Sequence, residues 1–144
     1  MVKELTSRSM FDDVIKFHEE ILKQPPSATP SLISHEFITE RWRFMQEELD
    51  EFYQASFEGD IVEAADGLAD IIYVALGTAY LMGLPMPKIW DAVQSANMRK
   101  VSGKTKRGNA FDAAKPSGWV GPAKDIAKAI GDCLEPPVTR PGDA

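Results

Sequence analysis

The sequence predicts an all-α fold, a compact bundle of four to five helices with a long basic loop and a loose carboxy-terminal tail. Three observations predict it. Apolar residues recur at helical spacing in successive segments, each segment is bounded by a capping residue or a helix breaker, and no stretch shows the alternation of a half-buried strand. At 144 residues one core is the economical reading, so residues 1–134 are expected to form a single domain and 135–144 a flexible tail.

The first helix is predicted from about Ser9 to Lys23, with Phe11, Val14, Ile15, His18, Ile21 and Leu22 at helical spacing and Ser9 and Asp12 placed to form a capping box. The proline-rich stretch from Gln24 to Ser31 cannot continue it. A second helix should begin near Ser34 and run through Phe37, Trp42, Phe44, Met45, Leu49, Phe52 and Tyr53 until Gly59 stops it. Asp60 then caps a third, with Glu63 spaced to complete a second capping box, and that helix ends near Gly83. From Leu68 onward the third helix is apolar on nearly every face, which places it at the centre of the bundle or in a subunit interface and makes a homodimer or homotetramer the expected state. Pro87 suits the first turn of a fourth helix carrying Ile89, Trp90, Val93 and Met98 and ending around Lys100 to Val101. Residues 101–122 hold four glycines and no period, so they read as a long loop, with a short helix after it.

Composition narrows the function. With 44% hydrophobic and 26% charged residues the chain has what a packed core needs. A formal charge of -6 argues against dedicated nucleic-acid binding, which calls for a basic face on a basic domain. Cys133 is the only cysteine, so an intrachain disulfide and a thiolate metal cluster are both excluded, and a cytoplasmic setting is expected. The amino terminus lacks an apolar signal core. The longest apolar stretch, residues 71–84, is shorter than the roughly 20 residues of a membrane helix.

Chemistry enters with the acids. Glu47, Glu48 and Glu51 lie at spacings that bring their side chains to neighbouring surface of the second helix, a pattern open to two readings, a solvated acidic face or a cation site. Asp66 and Asp70 are four apart on the third helix, and Asp70 is embedded in an apolar run where an uncompensated carboxylate costs several kcal/mol. Either a hard cation such as Mg²⁺ compensates it or a core arginine, Arg41 or Arg43, does. Glu63 is ligand or cap. A di-iron carboxylate bundle is excluded, because it needs Glu-x-x-His pairs and the only histidines, His18 and His35, follow Ile15 and Leu32. His18 sits at an apolar-face spacing and reads as a core or rim histidine, or as a contact to a bound base.

Charge is also segregated. Arg99, Lys100, Lys104, Lys106, Arg107 and Lys115 face a single acid, Asp112, between positions 99 and 115. Lysines and arginines set among glycines can surround phosphate oxygens, and the alternative is a solvated mobile loop. Trp119 favours a loop that packs back on the body.

In this order EELDE at 47–51, GDIVEAADGLADIIYVALGTA at 59–79, SANMRK at 95–100 and KPSGWVGP at 115–122 resemble the all-α nucleoside triphosphate pyrophosphohydrolase superfamily, in its MazG-like and phosphoribosyl-ATP pyrophosphohydrolase-like branch. The family's signature is Glu-Glu-x-x-Glu followed by Glu-x-x-Asp. Glu63 and Asp66 fit its second half literally, while an alternative register aligns Asp70 and leaves Gly67 where a glutamate would stand. The resemblance implies hydrolysis of a nucleotide between its α- and β-phosphates with Mg²⁺ or Mn²⁺ held by Glu48, Glu51, Asp70, Asp66 and Glu63. It implies Glu47 as the proton acceptor, and Asn97, Lys100, Lys104, Arg107 and Lys115 as substrate contacts. The vacancy at Gly67 keeps a second possibility open, a non-catalytic nucleotide-binding helical dimer.

Overall fold

A computed structural model describes residues 9–134, so the tail expected at 135–144 lies outside the described residues. The all-α class holds. Among the described residues five α-helices, one π-helical turn and a single short hairpin make up the regular structure, and the chain divides into two units, Met1–Leu84 and Pro85–Ala144. Among the described residues no helix is long and apolar enough to cross a membrane.

In the first unit α1, Met10–Phe17, starts on the expected capping box, in which the Ser9 hydroxyl accepts from Asp12 N–H and the Asp12 carboxylate accepts from Ser9 N–H. The helix continues as a π-helical turn, His18–Leu22, closed by Lys23 in the left-handed conformation at φ 54. The proline-rich loop that follows has a partner: Ser27 and Ser31 donate their N–H groups to the carbonyls of Leu81 and Met82, and the Tyr80 hydroxyl donates to the Gln24 carbonyl. Carbonyls at the end of the third helix, which have no acceptor role left within it, are satisfied there.

α2, His35–Glu58, is capped by Ser34 and stopped by Gly59, and α3, Ile61–Leu81, opens on Asp60, whose carboxylate accepts from Val62 and Glu63 N–H. The returning half of the box predicted for Glu63 is not formed. Asp60 N–H is already taken by the Ala55 carbonyl, so Glu63 is exposed and has no capping work. α3 packs mainly on α2 and also on α1. Its end, Gly77 to Leu81, is buried as expected, whereas Leu68 and Ile72 remain 47% and 45% exposed. Two neighbouring helices cover two sides of a cylinder and leave the rest open.

In the second unit α4, Met86–Met98, carries Pro87 in its first turn and packs on α5, Ala123–Leu134, with Ala92, Ala96 and Ala129 buried. The stretch predicted to be a loop contains two strands. β1, Val101–Gly103, pairs antiparallel with β2, Asp112–Ala114, in the register Val101↔Ala114, Ser102↔Ala113 and Gly103↔Asp112. Three residues are too few for a period of two to stand out in a sequence, and the hairpin is held by polar side chains at its turn and an aromatic beyond its open end, not by an apolar face.

Candidate functional site

The α2–α3 interface carries a buried arginine and a half-buried glutamate with one buried oxygen. Toward one end lies Arg41, 7% exposed, whose Nε donates to Thr78 Oγ1 at 3.0 Å and whose Nη2 donates to the Val74 carbonyl at 2.9 Å. Thr78 Oγ1 donates to that same carbonyl at 2.8 Å, closing a three-membered network. No carboxylate takes part. The alternative in which Arg41 neutralises Asp70 is therefore corrected: helix backbone and a hydroxyl satisfy the guanidinium, and Arg43 is exposed. His18 joins Arg41 over Gly77, where an added Cβ would meet His18 Nε2 at 2.5 Å and Arg41 Nη2 at 2.8 Å. Burial and then the Arg41 charge lower the His18 pKa, against a smaller opposing influence of the Gln24 side chain. His18 is 2% exposed, which makes it a core histidine.

About two turns further along α2 the environment reverses in sign. Glu48 Oε2 is buried without a hydrogen-bond partner. Burial, then the negative charges of Asp70 and Glu51, a side-chain hydrogen bond with Glu51 and the charge of Asp66, push the Glu48 carboxyl above the ordinary carboxylate range. The helix pair thus brings Glu48, Glu51, Asp66 and Asp70 into one electrostatic neighbourhood. Glu47 and Glu63, both exposed, are not among the groups acting on Glu48. Among the described residues no three His, Cys, Asp or Glu side chains close into a ready metal shell. A buried carboxylate oxygen among like charges is nevertheless the kind of group that a hard cation relieves, and Mg²⁺ takes few carboxylates while keeping water and phosphate in its other positions.

Gly67 lies against α2. A Cβ there would stand 3.1 Å from Phe52 Cα and Cβ, so α2 and α3 are in close contact at this point. A side chain at position 67 would crowd Phe52 of α2, which gives the glycine a packing role beside the reading of a lost ligand. Asp66 and Asp70 flank this contact, one turn apart.

In the second unit the hairpin forms an open cleft of about 740 Å³ lined by Lys100, Lys104, Thr105, Lys106, Arg107 and Lys115. Two of the basic side chains near it are already engaged. Arg107 grips Asp112 through both ends of its guanidinium, at 2.9 and 2.6 Å, with Thr105 Oγ1 also donating to Asp112, and Arg99 bonds Ser95 Oγ and the Val120 carbonyl. The Thr105 hydroxyl first, then the Ala113 N–H and the Arg107 guanidinium, hold the Asp112 carboxyl below its usual range. Lys100 and Lys115 instead lie over the Trp119 ring, their Nζ atoms 5.2 and 5.0 Å from its centroid. Asn97 is exposed in the last turn of α4, its carbonyl accepting from Lys100 N–H at 3.0 Å. The sequence marked the basic run but not this division between occupied arginines and lysines without carboxylate partners, which depends on hairpin pairing.

No curated protein matches the chain. A family model described as phosphoribosyl-ATP pyrophosphohydrolase matches residues 14–97, more than half of the chain, taking in Glu47, Glu48, Glu51, Glu63, Asp66 and Asp70 and ending before the hairpin. The family implies pyrophosphohydrolase activity on a nucleotide. With the carboxylate pair of helices inside the matched span, the chain belongs to the phosphoribosyl-ATP pyrophosphohydrolase family, within the MazG-like nucleotide pyrophosphohydrolase superfamily.

Proposed function

We propose that the chain hydrolyses a nucleoside triphosphate or related nucleotide between its α- and β-phosphates, releasing a monophosphate and pyrophosphate, in a reaction that requires Mg²⁺ or Mn²⁺. The observation that carries this reading is the buried, partnerless Glu48 Oε2 among Glu51, Asp66 and Asp70. These four would hold the cation. When bound, Mg²⁺ supplies charge neutralisation at phosphate oxygens and lowers the pKa of water. Glu47, exposed beside Glu48 on α2 and outside the group that presses on it, is free to accept the proton of the attacking water. Water attacks the α-phosphorus, the bond to the bridging oxygen breaks, and pyrophosphate leaves. On the second unit, Lys100, Lys104 and Lys115 are the groups suited to offset negative charge on phosphates, and Asn97 has an amide suited to phosphate or sugar. Glu63 falls outside the cation set.

Exposed apolar residues on α2 and α3, among them Leu49, Tyr53, Phe57, Leu68 and Ile72, support a homodimer or homotetramer as the working form. A lone free cysteine, Cys133, supports a reducing, cytoplasmic setting. The test is a panel of nucleoside triphosphates incubated with Mg²⁺ or EDTA and resolved by product. Pyrophosphate and monophosphate, formed only with the metal, are the expected outcome; diphosphate with orthophosphate as first products would refute the reading.

A further inference from the structure

Lys100 and Lys115 directly flank the terminal pair Val101↔Ala114 of the β1–β2 ladder, one on each strand's outer side. Like charges brought together on paired strands repel. Neither lysine has a carboxylate within ion-pair distance among the described residues, and both ammonium groups rest on one indole ring. That ring is itself fixed. Its N–H donates to the Ala96 carbonyl at 2.8 Å, and its far edge lies against Gly121, where an added Cβ would meet Trp119 Cη2 and Cζ3 at 3.4 Å. The neighbouring arginines cannot share the task without breaking bonds, since Arg107 is held by Asp112 and Arg99 by Ser95 and Val120.

We propose that Trp119 is a positioning residue that holds Lys100 and Lys115 as a matched cationic pair for a diphosphate group. The electron-rich ring attracts both ammonium groups, so the lysines are held near it before a ligand arrives and the cost of ordering them is met by the fold. A diphosphate offers two separated anionic centres, one for each ammonium, whereas a single orthophosphate satisfies one and leaves its neighbour repelled. The inference deepens the proposed function and rests on it for the source of the diphosphate, but its test does not depend on turnover.

The experiment is calorimetric titration in EDTA of the full chain with inorganic pyrophosphate and, separately, inorganic phosphate. Pyrophosphate should bind at least about tenfold more tightly than phosphate, and Trp119→Leu should weaken pyrophosphate binding by about tenfold, the two cation–π contacts being lost together. Trp119→Phe, which keeps an aromatic face, should retain affinity to within about threefold. In the doubly substituted Trp42→Phe, Trp90→Phe protein, Trp119 is the only indole, so its emission should shift on saturation with pyrophosphate and cease to shift when Lys115→Met is added.

A folded Trp119→Leu variant with wild-type pyrophosphate affinity overturns the proposal, as does a wild type that does not discriminate the two anions. Should Trp119→Leu fail to fold, the emission experiment decides, because its ring is native: an unmoved spectrum overturns the proposal. A wild type that releases pyrophosphate while Trp119→Leu is silent defeats this inference alone. One that releases orthophosphate while Trp119→Leu loses pyrophosphate affinity defeats only the assignment of the reaction.

Discussion

Arg41 and Glu48 stand on the same helix, face the same neighbour and both place charged atoms out of reach of water, yet they are opposite kinds of burial. None of Arg41's buried nitrogens lacks a partner, since α3 supplies a carbonyl and a hydroxyl to receive them. Glu48 meets the negative charges of Asp70, Glu51 and Asp66, and the one side chain that hydrogen-bonds it, Glu51, is another acid. A buried charge whose partners come from its own fold is architecture; one whose surroundings raise its cost needs something the chain does not itself provide. The comparison separates a structural and a chemical segment within one helix pair, and substitution should separate them in the same way.

The largest effect is expected at the acidic end. Glu48→Gln and Asp70→Asn should each lower turnover by about 10³-fold, roughly 4 kcal/mol in the barrier. In EDTA both should unfold at the same temperature as the wild type or higher, because each removes one of several mutually repelling carboxylates. Mg²⁺ at a hundredfold excess over its Kd should stabilise the wild type by about 2.7 kcal/mol and the variants by less. Earlier melting of either variant in EDTA would erase the distinction between the two segments.

At the Arg41 end the signs reverse. Thr78→Val leaves Arg41 Nε without its acceptor and should cost about 1–3 kcal/mol in urea unfolding, while the increment of stability gained from Mg²⁺ stays unchanged. Between the segments, Gly67→Glu should destabilise by about 1–3 kcal/mol through overpacking against Phe52 and should not raise activity. A gain in turnover would show that position 67 can reach the acids after all. The smallest effect is a slope. His18 has its pKa lowered in the folded state, so its contribution is present above the unfolded value of about 6.5 and is lost as pH falls through the lower folded value. Stability measured from pH 8 down to pH 5 should decline, and His18→Leu should flatten that decline.

What could be read from the sequence was local. Ser9, Ser34, Gly59 and Asp60 mark helix ends through bonds to residues two to four positions away, so neighbouring letters contain the signal. The acids of α2 and α3 were visible through their spacing. Which of Glu63, Asp66 and Asp70 meet Glu48 was not, because that depends on Phe52 lying against Gly67, a contact between helices that no periodicity encodes. The Arg41 network was hidden for the same reason, its hydroxyl acceptor lying 37 residues away. The hairpin escaped because a three-residue ladder has too little length to show alternation. The expected reciprocal bond from Glu63 failed because a carbonyl from the preceding helix reached the Asp60 amide first.

The loop between α1 and α2 has a dynamic consequence. Its proline content and position suggest an easily nicked connector, but Ser27 and Ser31 are laced to the carbonyls that end α3, and Gln24 to the Tyr80 hydroxyl. A protease seeking an extended stretch of this loop must first detach it from α3, which bares the last carbonyls of that helix and frees a buried tyrosine. Loop and helix end therefore open as one cooperative unit, and the apparent weak point of the chain inherits the resistance of its most deeply buried segment.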